Sequence, residues 1–532
     1  MMKRGRWLTA GDMLRVNAVK YPNKEAALDK YRSMTFVQWN ERTNKLGNAL
    51  LKLGLKKGDH FAVLAYNCVE WLEIYAASAK TGLVTVPVLF RLAPPEMEYV
   101  INHSEAKAII VQDEFVDTVN SFRDKLKGVK HFIYFSEKEE KKRDVPQGYI
   151  GYEELVEGGS PDEPPVTVDI LDPWVIMYTG GTTGLPKGVI KSHMSLVAQY
   201  LISIPEHNFE FDDRVLLVLP LCHINSLYYS FVFTYIGGTV MAYNMRSFDP
   251  EDLLRTMSEY KITFTSLVPT HYIMILSLPD EVKKKYDVSC VKKLLISSAP
   301  ARRETKLAIM EFFKNAKLYE AYGSTEAGIV TILKPHEQFT KLGSIGREVI
   351  GSDLIKLYDE NGNEITEPNV VGELYSRSPM MFDGYWKNPE KTEESFIGEY
   401  FSAGDMAYRD EDGYYYLVDR KANMIITGGE NVYPSEVEKV IGAHPAVKDV
   451  AVVGLPHDKW GEAVTAVVIL HEGKTATAEE IREFCRGKIA GYKIPKDVIF
   501  IKDEEMPRSA AGKILHRKLR ERYKDWYEKK KE

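Results

Sequence analysis

The chain has 532 residues, of which 44% are hydrophobic, so it is long enough to form about two to four domains with their own cores. Its 70 Lys and Arg residues nearly balance 76 Asp and Glu residues, and the net charge of -6 gives no electrostatic reason to expect a nucleic-acid partner. Four widely spaced cysteines, without a Cys-x-x-Cys pair, argue against a zinc site or a disulfide framework.

No targeting segment is expected at the start of the chain or within it. The basic N-terminal residues are not followed by an apolar stretch, and polar residues interrupt the most apolar region, residues 215–243. The sequence therefore predicts no signal peptide and no membrane span. Together with reduced thiols, this favours a cytoplasmic protein.

The first 345 residues alternate between strand and helix patterns. Apolar residues recur at helical spacing over residues 46–53, and HFAVLAY at 60–66 is typical of a buried strand. The segments 238–268 and 293–323 each follow a strand, helix, strand order. Strands that alternate with helices predict a layered α/β fold with mainly parallel sheets.

The pattern changes twice in the rest of the chain. Residues 345–420 contain short strands with turn signals, which indicate a β-rich subdomain. After Arg420 a new series of strands and helices predicts a small α+β domain that ends in a solvated terminal helix. We therefore expect a large α/β N-terminal domain, residues 1–420, and a small C-terminal domain, residues 421–532.

The strongest local motif is YTGGTTGLPKGV at residues 178–189, which follows the apolar strand PWVIM and precedes a segment for which Ser192 is the expected N-cap. Its glycines allow the backbone N-H groups to converge, while threonine hydroxyls and Lys187 add further donors and a cation. This composition suits a polyphosphate. The motif is neither a Walker A sequence nor a Gly-x-Gly-x-x-Gly turn, and the alternative is an ordinary tight turn.

A second motif is YEAYGSTEAG at residues 319–328. Tyr322 could stack on a purine, Thr325 could donate to a phosphate, and the carboxylate of Glu326 is a hard oxygen ligand suited to Mg²⁺. The alternative for Glu326 is a residue in a capped helix start.

Three further charged residues lie in turn-like segments of the last third of the chain. Asp405 could accept hydrogen bonds from ribose hydroxyls, and Arg420 could reach ribose or phosphate. Lys513, in MPRSAAGKI, has small neighbours that would let its cation enter a cleft. Taken singly, each could equally be a surface ion pair or a solvated charge.

Together these segments resemble the adenylate-forming superfamily of acyl-CoA synthetases, peptide-synthetase adenylation domains and beetle luciferases, over about residues 8–520. The resemblance implies an enzyme that uses Mg-ATP to convert a carboxylic acid to an acyl-adenylate and then transfers the acyl group to a thiol, with coenzyme A as the expected acceptor. Its partners would be small molecules, and a homodimer is compatible with it.

The resemblance also implies roles for individual residues. The β- and γ-phosphates would be held by Thr179, Gly180, Gly181, Thr182, Thr183, Gly184 and Lys187. The adenine and α-phosphate would be held by Ser298, Ala299, Pro300, Glu320, Ala321, Tyr322, Gly323, Ser324 and Thr325. Glu326 would bind Mg²⁺, Asp405 and Arg420 would bind the ribose, and Lys513 would bridge the carboxylate and the α-phosphate.

For the second half-reaction, the resemblance implies that the small domain rotates about a hinge at Lys421. Gly429 would leave room for pantetheine, and His223 would form a gate beside the acyl site, although a packed core histidine is the alternative. The acyl group would contact His223, Asn225, Tyr228, Ser297 and Ser298, and coenzyme A would contact Gly429, Trp460, Tyr492 and Lys496.

Two positions depart from the family pattern. Many relatives carry Ser where Gly180 stands, which removes one hydroxyl donor but leaves the backbone N-H. Ile494 occupies a position where some coenzyme A ligases carry a basic residue, which weakens the assignment of the thiol but not of adenylation.

Several alternatives remain open from the sequence. The enzyme could load a carrier-protein thiol, or oxidise its acyl-adenylate as luciferases do. A free amino acid is disfavoured, because Ile224 follows the gate residue where amino-acid adenylation domains place Asp. A catalytically inactive nucleotide-binding homologue would not need Lys513, Glu326, Asp405 and Arg420 together. Large rings near the gate, at Tyr228, Tyr229, Phe231 and Phe233, predict a compact or medium-sized acid.

Overall fold

Capping residues and a glycine set the ends of several helices. Thr35 accepts a hydrogen bond from the Gln38 N-H and Gln38 accepts one from the Thr35 N-H, which forms a capping box at the start of a long helix. Asp249 caps another helix through two backbone N-H groups, with proline in its first turn. Gly82 ends a third helix with a φ of 67°, in the left-handed region.

The computed structural model describes residues 8–138, 144–179, 186–297, 301, 303–427, 430–457, 460–489, 491–508 and 514–530. These residues form two compact units. The first unit contains the residues up to Ile355 together with Ser376–Phe401, and the second unit contains Lys356–Tyr375 together with Ser402 and the residues that follow it.

The helices, numbered in chain order, are α1 (Ala10–Lys20), α2 (Phe36–Lys52), α3 (Val69–Thr81), α4 (Pro94–His103), α5 (Val116–Asn120), α6 (Tyr152–Gly158), α7 (His193–His207), α8 (Ile224–Ile236), α9 (Pro250–Glu259), α10 (Pro269–Leu276), α11 (Asp280–Lys283), α12 (Arg303–Phe312), α13 (Pro389–Glu394), α14 (Pro434–Ile441), α15 (Ala478–Cys485), α16 (His516–Tyr523) and α17 (Trp526–Lys529).

The strands are β1 (Glu25–Leu28), β2 (Ser33–Thr35), β3 (His60–Leu64), β4 (Val84–Pro87), β5 (Ala108–Gln112), β6 (His131–Phe135), β7 (Ile150–Gly151), β8 (Pro173–Thr179), β9 (Lys187–Ser192), β10 (Arg214–Leu217), β11 (Thr239–Ala242), β12 (Phe264–Leu267), β13 (Lys293–Ile296), β14 (Lys317–Ser324), β15 (Gly328–Leu333), β16 (Arg347–Glu348), β17 (Lys356–Tyr358), β18 (Glu364–Ile365), β19 (Gly372–Tyr375), β20 (Gly384–Tyr385), β21 (Phe396–Ile397), β22 (Tyr400–Phe401), β23 (Asp405–Arg409), β24 (Tyr415–Arg420), β25 (Ile425–Thr427), β26 (Glu430–Val432), β27 (Val447–His457), β28 (Gly461–Leu470) and β29 (Asp497–Phe500).

The first unit contains two large sheets with parallel centres. One has the order β20-β9-β8-β4-β3-β5-β6-β7, in which the strands from β8 through β7 pair in parallel, while β9 pairs antiparallel with both β8 and β20. The other has the order β16-β15-β14-β13-β12-β10-β11-β1-β2, with parallel pairing from β14 through β1. Helices cover their apolar faces, as expected for parallel sheets.

The second unit combines an antiparallel sheet with an α+β layer. The antiparallel sheet has the order β18-β17-β19-β23-β24. The other sheet has the order β26-β25-β28-β27, and β29 pairs in parallel with β28. The helices α14 and α15 pack on one face of this second sheet, around buried residues that include Val437 and Ile481, and α16 packs on the other around Leu519.

The predicted elements are confirmed, with one correction. The strand expected at residues 60–66 is β3, the helices expected within 238–268 and 293–323 are α9 and α12, and the helices expected after Arg420 include α14. The tail is not one solvated helix. It consists of two helices, α16 and α17, and it is partly buried because Leu519 is inaccessible to solvent and Tyr523, Trp526 and Tyr527 pack against the core beside it. The predicted domain boundary after Arg420 stays a prediction.

Candidate active site

The glycine-rich motif lies at the tip of a β-hairpin. β8 and β9 pair antiparallel, and Thr179 faces Lys187 in the last pair before the tip. Gly180, Gly181, Thr182, Thr183 and Gly184 lie outside the described residues. Beyond β9, Ser192 caps α7 by accepting from the Ser195 N-H, as the sequence predicted. The two strands thus place a hydroxyl and an ammonium at the two ends of the glycine-rich segment.

The base of this hairpin is held by its neighbours. Tyr178, which precedes Thr179, shares a hydrogen bond of 2.7 Å between its hydroxyl and Nδ1 of His103. On the other strand, the carbonyl of Gly188 accepts from the Trp386 N-H at 2.7 Å. Both strands that lead to the tip are therefore fixed.

Glu326 lies in the turn between β14 and β15. Ser324 Oγ accepts from the Ala327 N-H at 3.0 Å, which closes the turn. A bulge follows Tyr322, and a Cβ on Gly323 would lie 2.1 Å from the carbonyl oxygen of Gly328, so that position needs glycine. The alternative reading of Glu326 as a residue in a helix start is wrong, because the chain turns directly into an antiparallel strand.

The segment around β20 joins the hairpin to this turn. The Tyr385 hydroxyl donates to Oε1 of Glu326 at 2.9 Å, and the Lys187 ammonium lies 4.5 Å from the centre of the Tyr385 ring. The backbone N-H of Phe382 donates to the Glu326 carbonyl at 2.7 Å. The structure therefore brings together Lys187 and Glu326, which are 139 positions apart, through a tyrosine that the sequence reasoning missed.

A buried lysine reinforces the same junction. Lys191 on β9 is inaccessible to solvent and donates to the carbonyl of Met380. Burial lowers the pKa of Lys191 to about 8, and the nearby carboxylates of Asp383 and Glu326 oppose that effect. Its cation adds positive charge close to the turn that carries Glu326.

The other residues predicted near the adenine differ in their exposure. Glu320 on β14 is buried and its carboxylate pairs with Lys306, which is also buried. Burial raises the pKa of Glu320, while Lys306 opposes that shift. Because its carboxylate is occupied by Lys306, Glu320 can reach a nucleotide only through its backbone. Tyr322 is half-buried at the end of the same strand. Ser298, Ala299 and Pro300 lie outside the described residues.

The predicted acyl residues meet at the carboxyl ends of parallel strands. Asn225, at the start of α8, donates to Ser266 Oγ at 3.2 Å, and Ser266 lies 3.0 Å from the hydroxyl of Ser297. Ser266 on β12 was missed, although its place at the end of a strand beside Ser297 was a usable signal, since ligands bind at this edge of α/β sheets. The three side chains form a polar row.

His223 is exposed at the cap position of α8. The alternative reading of a packed core histidine is therefore wrong. The loop before it is clamped by Asn67, which donates to the carbonyls of Leu217 and Leu219 and accepts from the Leu221 N-H at 2.6 Å. Asn67, which follows β3, was not recognised in the sequence because its partners lie about 150 positions away.

The rings on α8 do not all face the polar row. A narrow crevice with about 150 Å³ of empty space is lined by Asn225, Ser266 and Tyr229, and no part of it is wide enough for a water molecule. Phe231 packs against Trp39 and Trp174 in the core, and Phe233 against Phe209 and Phe264. The prediction that both phenylalanines lie behind the gate is wrong, since they are on other faces of the helix. Tyr228 is buried and stacks on Tyr200.

In the second unit, the two residues predicted to bind ribose are neighbours. Asp405 on β23 lies directly opposite Arg420 on β24, and Asp405 is 7% exposed. Lys421 follows at once in a short 3-10 helix, where its ammonium pairs with Glu373 at 2.7 Å. The expected hinge thus begins one residue after the strand that carries Arg420.

Two of the predicted coenzyme A contacts are also adjacent. The Lys496 ammonium lies 4.7 Å from the centre of the Trp460 ring, while Tyr492 is 40% exposed. Ile494 packs against the core of the small α+β layer, which explains its apolar character. Gly429 and Lys513 lie outside the described residues.

The described residues contain no group of three or more His, Cys, Asp or Glu that could hold a metal ion by itself. Glu326 offers one carboxylate beside the hairpin. Mg²⁺ is commonly held by one or two carboxylates together with substrate phosphates, so this arrangement fits a metal that arrives with a nucleotide.

In the parts of the chain that the structure covers, no helix combines the length and apolar character needed to cross a membrane.

The chain is similar to characterised enzymes over nearly all of its length. A sequence model of the AMP-binding enzyme family matches residues 14–386, and one of the AMP-binding enzyme C-terminal domain matches residues 436–513. The long-chain-fatty-acid–CoA ligase FadD13 of Mycobacterium tuberculosis is 32% identical, over 96% of this chain and 98% of its own. The indoleacetate–CoA ligase of Aromatoleum aromaticum is 32% identical over 93% and 94%. ATP-bound MatB from Rhodopseudomonas palustris has a TM-score of 0.86 at 29% identity, over 98% and 100% of the two chains.

Proposed function

This chain belongs to the AMP-binding enzyme family and is an AMP-forming acid–CoA ligase that uses ATP and coenzyme A, and from this premise we propose how its residues divide the reaction. The observation that carries the proposal is the meeting of Lys187 and Glu326 at Tyr385, beside the tip of the β8–β9 hairpin. A cation and a carboxylate that contact the same side chain there suit a metal-bound triphosphate.

In the first half-reaction, Thr179 and Lys187 hold the β- and γ-phosphates, and Tyr322 stacks on the adenine. A carboxylate oxygen of the acid attacks the α-phosphorus, and pyrophosphate leaves from the opposite side. Lys513 stabilises the negative charge that develops between the carboxylate and the α-phosphate. No covalent bond to the enzyme is needed, because positioning and electrostatics supply the catalysis.

Glu326 is the residue that would hold Mg²⁺. When bound, the metal would neutralise phosphate charge and so ease the departure of pyrophosphate. The chain contributes a carboxylate whose orientation is set by a hydrogen bond and by the fixed turn on which it lies.

In the second half-reaction, we assign the thiol path to the second unit. Rotation about Lys421 withdraws Lys513 and brings Gly429 to the site, where the missing side chain leaves room for pantetheine. Trp460 and Lys496, which lie together, contact the nucleotide end of coenzyme A. The thiolate attacks the acyl carbonyl carbon and expels AMP.

The acid is proposed to be compact or medium-sized and to carry a hydrogen-bonding substituent. The support is the polar row of Asn225, Ser266 and Ser297, which lies at the carboxyl ends of the parallel strands, where ligands bind in α/β sheets. Amide and hydroxyl groups have more than one donor or acceptor site, so this row can also bond to a polar group on the acid. The relatives do not decide the acid, since one is named for long-chain fatty acids and another for indoleacetate.

ATP–pyrophosphate exchange with a panel of acids, run with and without coenzyme A, tests these assignments. We expect exchange with acids of eight carbons or fewer that bear a polar group, and acyl-CoA formation only when coenzyme A is present. Faster turnover of palmitate than of every short acid would refute the proposed substrate class. Exchange without acyl-CoA formation for any acid would point to a carrier-protein thiol.

We also propose a cytoplasmic location and a homodimer. Free thiols at Cys68, Cys222, Cys290 and Cys485 fit a reducing compartment. Light scattering after size-exclusion chromatography measures the oligomeric state, and a monomer at micromolar concentration would refute the dimer.

A further inference from the structure

Tyr385 contacts both an anionic and a cationic side chain. It lies on β20, which pairs antiparallel with β9 and places Tyr385 opposite Val189. The side chain is buried, with 7% of the residue exposed. Its hydroxyl donates to Oε1 of Glu326, and its ring faces the ammonium of Lys187.

The backbone around Tyr385 is fixed on both sides. The Phe382 N-H donates to the carbonyl of Glu326, and the Trp386 N-H donates to the carbonyl of Gly188, each at 2.7 Å. The Tyr385 N-H donates to Thr392 Oγ1 at 2.9 Å. The tyrosine ring therefore has little freedom relative to either the Glu326 turn or the β8–β9 hairpin.

This geometry defines what each part of the side chain does. A carboxylate whose Oε1 accepts from a fixed hydroxyl has its rotation restricted, which leaves Oε2 in a defined direction. An ammonium within about 6 Å of an aromatic face is attracted by the negative charge of that face. One side chain thus orients an anion and a cation.

We propose that Tyr385 is a positioning residue for adenylation. Its hydroxyl orients the Glu326 carboxylate toward the divalent cation that accompanies ATP, and its ring holds the Lys187 ammonium near the phosphates. The inference rests on the proposed roles of Glu326 and Lys187. In this role Tyr385 acts through Glu326 and Lys187 and does not itself contact the substrate.

Two substitutions separate the two contacts. Tyr385→Phe removes the hydroxyl and keeps the ring, whereas Tyr385→Leu removes both. Binding of Mn²⁺ to the enzyme in the presence of a non-hydrolysable ATP analogue is measured by electron paramagnetic resonance, which does not depend on turnover. Binding of the analogue in EDTA is measured by calorimetry.

We expect Tyr385→Phe to raise the dissociation constant of Mn²⁺ by about 10-fold, the lower end of what the loss of an outer partner costs a metal ligand. Binding of the analogue in EDTA should be unchanged. Tyr385→Leu should show the same loss of metal affinity. In addition, it should raise the dissociation constant of the analogue in the presence of EDTA by roughly 2- to 5-fold, as expected for a lost cation–aromatic contact.

The chain offers a matched control. The Tyr286 hydroxyl donates to Oε1 of Glu251 at 2.9 Å, the same type of bond, to a carboxylate in the first turn of α9. Tyr286→Phe should leave both binding constants at the wild-type values. Equal thermal midpoints of Tyr385→Phe and wild type would exclude unfolding as the cause.

Glu326→Gln distinguishes failure of the inference from failure of the proposed function. If Glu326→Gln weakens Mn²⁺ and Tyr385→Phe does not, the role of Tyr385 is wrong while that of Glu326 stands. If neither changes the metal affinity, the assignment of Glu326 is wrong and the inference falls with it. If Tyr385→Leu does not fold, Tyr385→Phe alone decides the role of the hydroxyl.

Discussion

Replacement of Asn67 by alanine should impair binding of the acid more than binding of ATP. Asn67 is 4% exposed and follows β3 in the first unit. Its amide nitrogen donates to the carbonyls of Leu217 at 3.1 Å and Leu219 at 2.9 Å, and its amide oxygen accepts from the Leu221 N-H at 2.6 Å. Alanine removes all three bonds.

The loss of stability in Asn67→Ala depends on which hydrogen bonds each former partner of Asn67 keeps. The Leu217 carbonyl still accepts from the Tyr243 N-H at 3.2 Å, and the Leu219 carbonyl still accepts from Ser226 Oγ at 2.6 Å. The Leu221 N-H loses the amide oxygen, and a buried donor left unpaired costs about 1–3 kcal/mol. With roughly 0.5 kcal/mol for each lost carbonyl contact, we expect the free energy of unfolding to fall by about 2–4 kcal/mol.

The functional effect should be local. The clamped loop leads directly to His223 and Asn225, whereas the β8–β9 hairpin is fixed by other contacts. Freeing the loop should raise KM for the acid on the order of 10-fold, equivalent to about 1.4 kcal/mol, and should change KM for ATP by less than about 2-fold. Steady-state kinetics with each substrate varied in turn measure both constants, and urea denaturation measures stability.

Asn44→Ala is a matched control. Asn44 is 2% exposed, and its amide nitrogen donates to the carbonyl of Pro161 at 2.9 Å, in contacts between α2 and a distant loop. This variant should lose stability without a change in KM for the acid. Two results would refute the proposed role of Asn67 in shaping the acid site. One is an equal rise in both KM values for Asn67→Ala, and the other is an unchanged KM for the acid despite lost stability.

Asp405→Ala should lose on the order of 2–4 kcal/mol of transition-state binding, because the charge-assisted contact to ribose that we propose would be removed, and kcat/KM for ATP measures this. Lys513→Ala should nearly abolish pyrophosphate release while it still forms the thioester from supplied acyl-AMP. Gly429→Leu should adenylate normally, retain bound acyl-AMP and lose transfer to coenzyme A. Burial lowers the pKa of His207 from 6.5 to about 4, so the unfolded chain binds a proton between these values while the folded chain does not. Stability present above pH 6.5 should therefore fall by up to about 3 kcal/mol down to pH 4, and His207→Phe should show a shallower fall in urea titrations.

A specific result would contradict each of these predictions. Unchanged kcat and KM for ATP in Asp405→Ala would remove the ribose role. Single-turnover assays that start from ATP plus acid, or from acyl-AMP plus coenzyme A, measure the two half-reactions separately. If Lys513→Ala and Gly429→Leu both lose both half-reactions, the proposed rotation of the small domain about Lys421 is wrong. An identical pH dependence of stability for wild type and His207→Phe would show that His207 is not held neutral.

The sequence alone determined the elements and motifs that depend on neighbouring residues. Helix periodicity and apolar strand runs predicted α9, α12 and β3, and the glycine-rich motif was recognised because its donors are contiguous. Ser192 was identified as a cap for the same reason, since a cap acts on residues two or three positions away. Glu326 was found within a motif, but its local alternative, a helix start, was wrong because the turn depends on the pairing of β14 with β15.

Only the tertiary structure decided which distant residues share a site. Tyr385, Ser266 and Asn67 were missed, because each acts on partners that are separated from it by tens of positions or more and that meet only when strands align. The faces of α8 were likewise undetermined, so Phe231 was expected near the gate although it packs in the core. The amino-acid sequence shows that a side chain is a bulky, apolar ring. The neighbours against which it packs are set by the crossing of elements, and those contacts exist only in the folded chain.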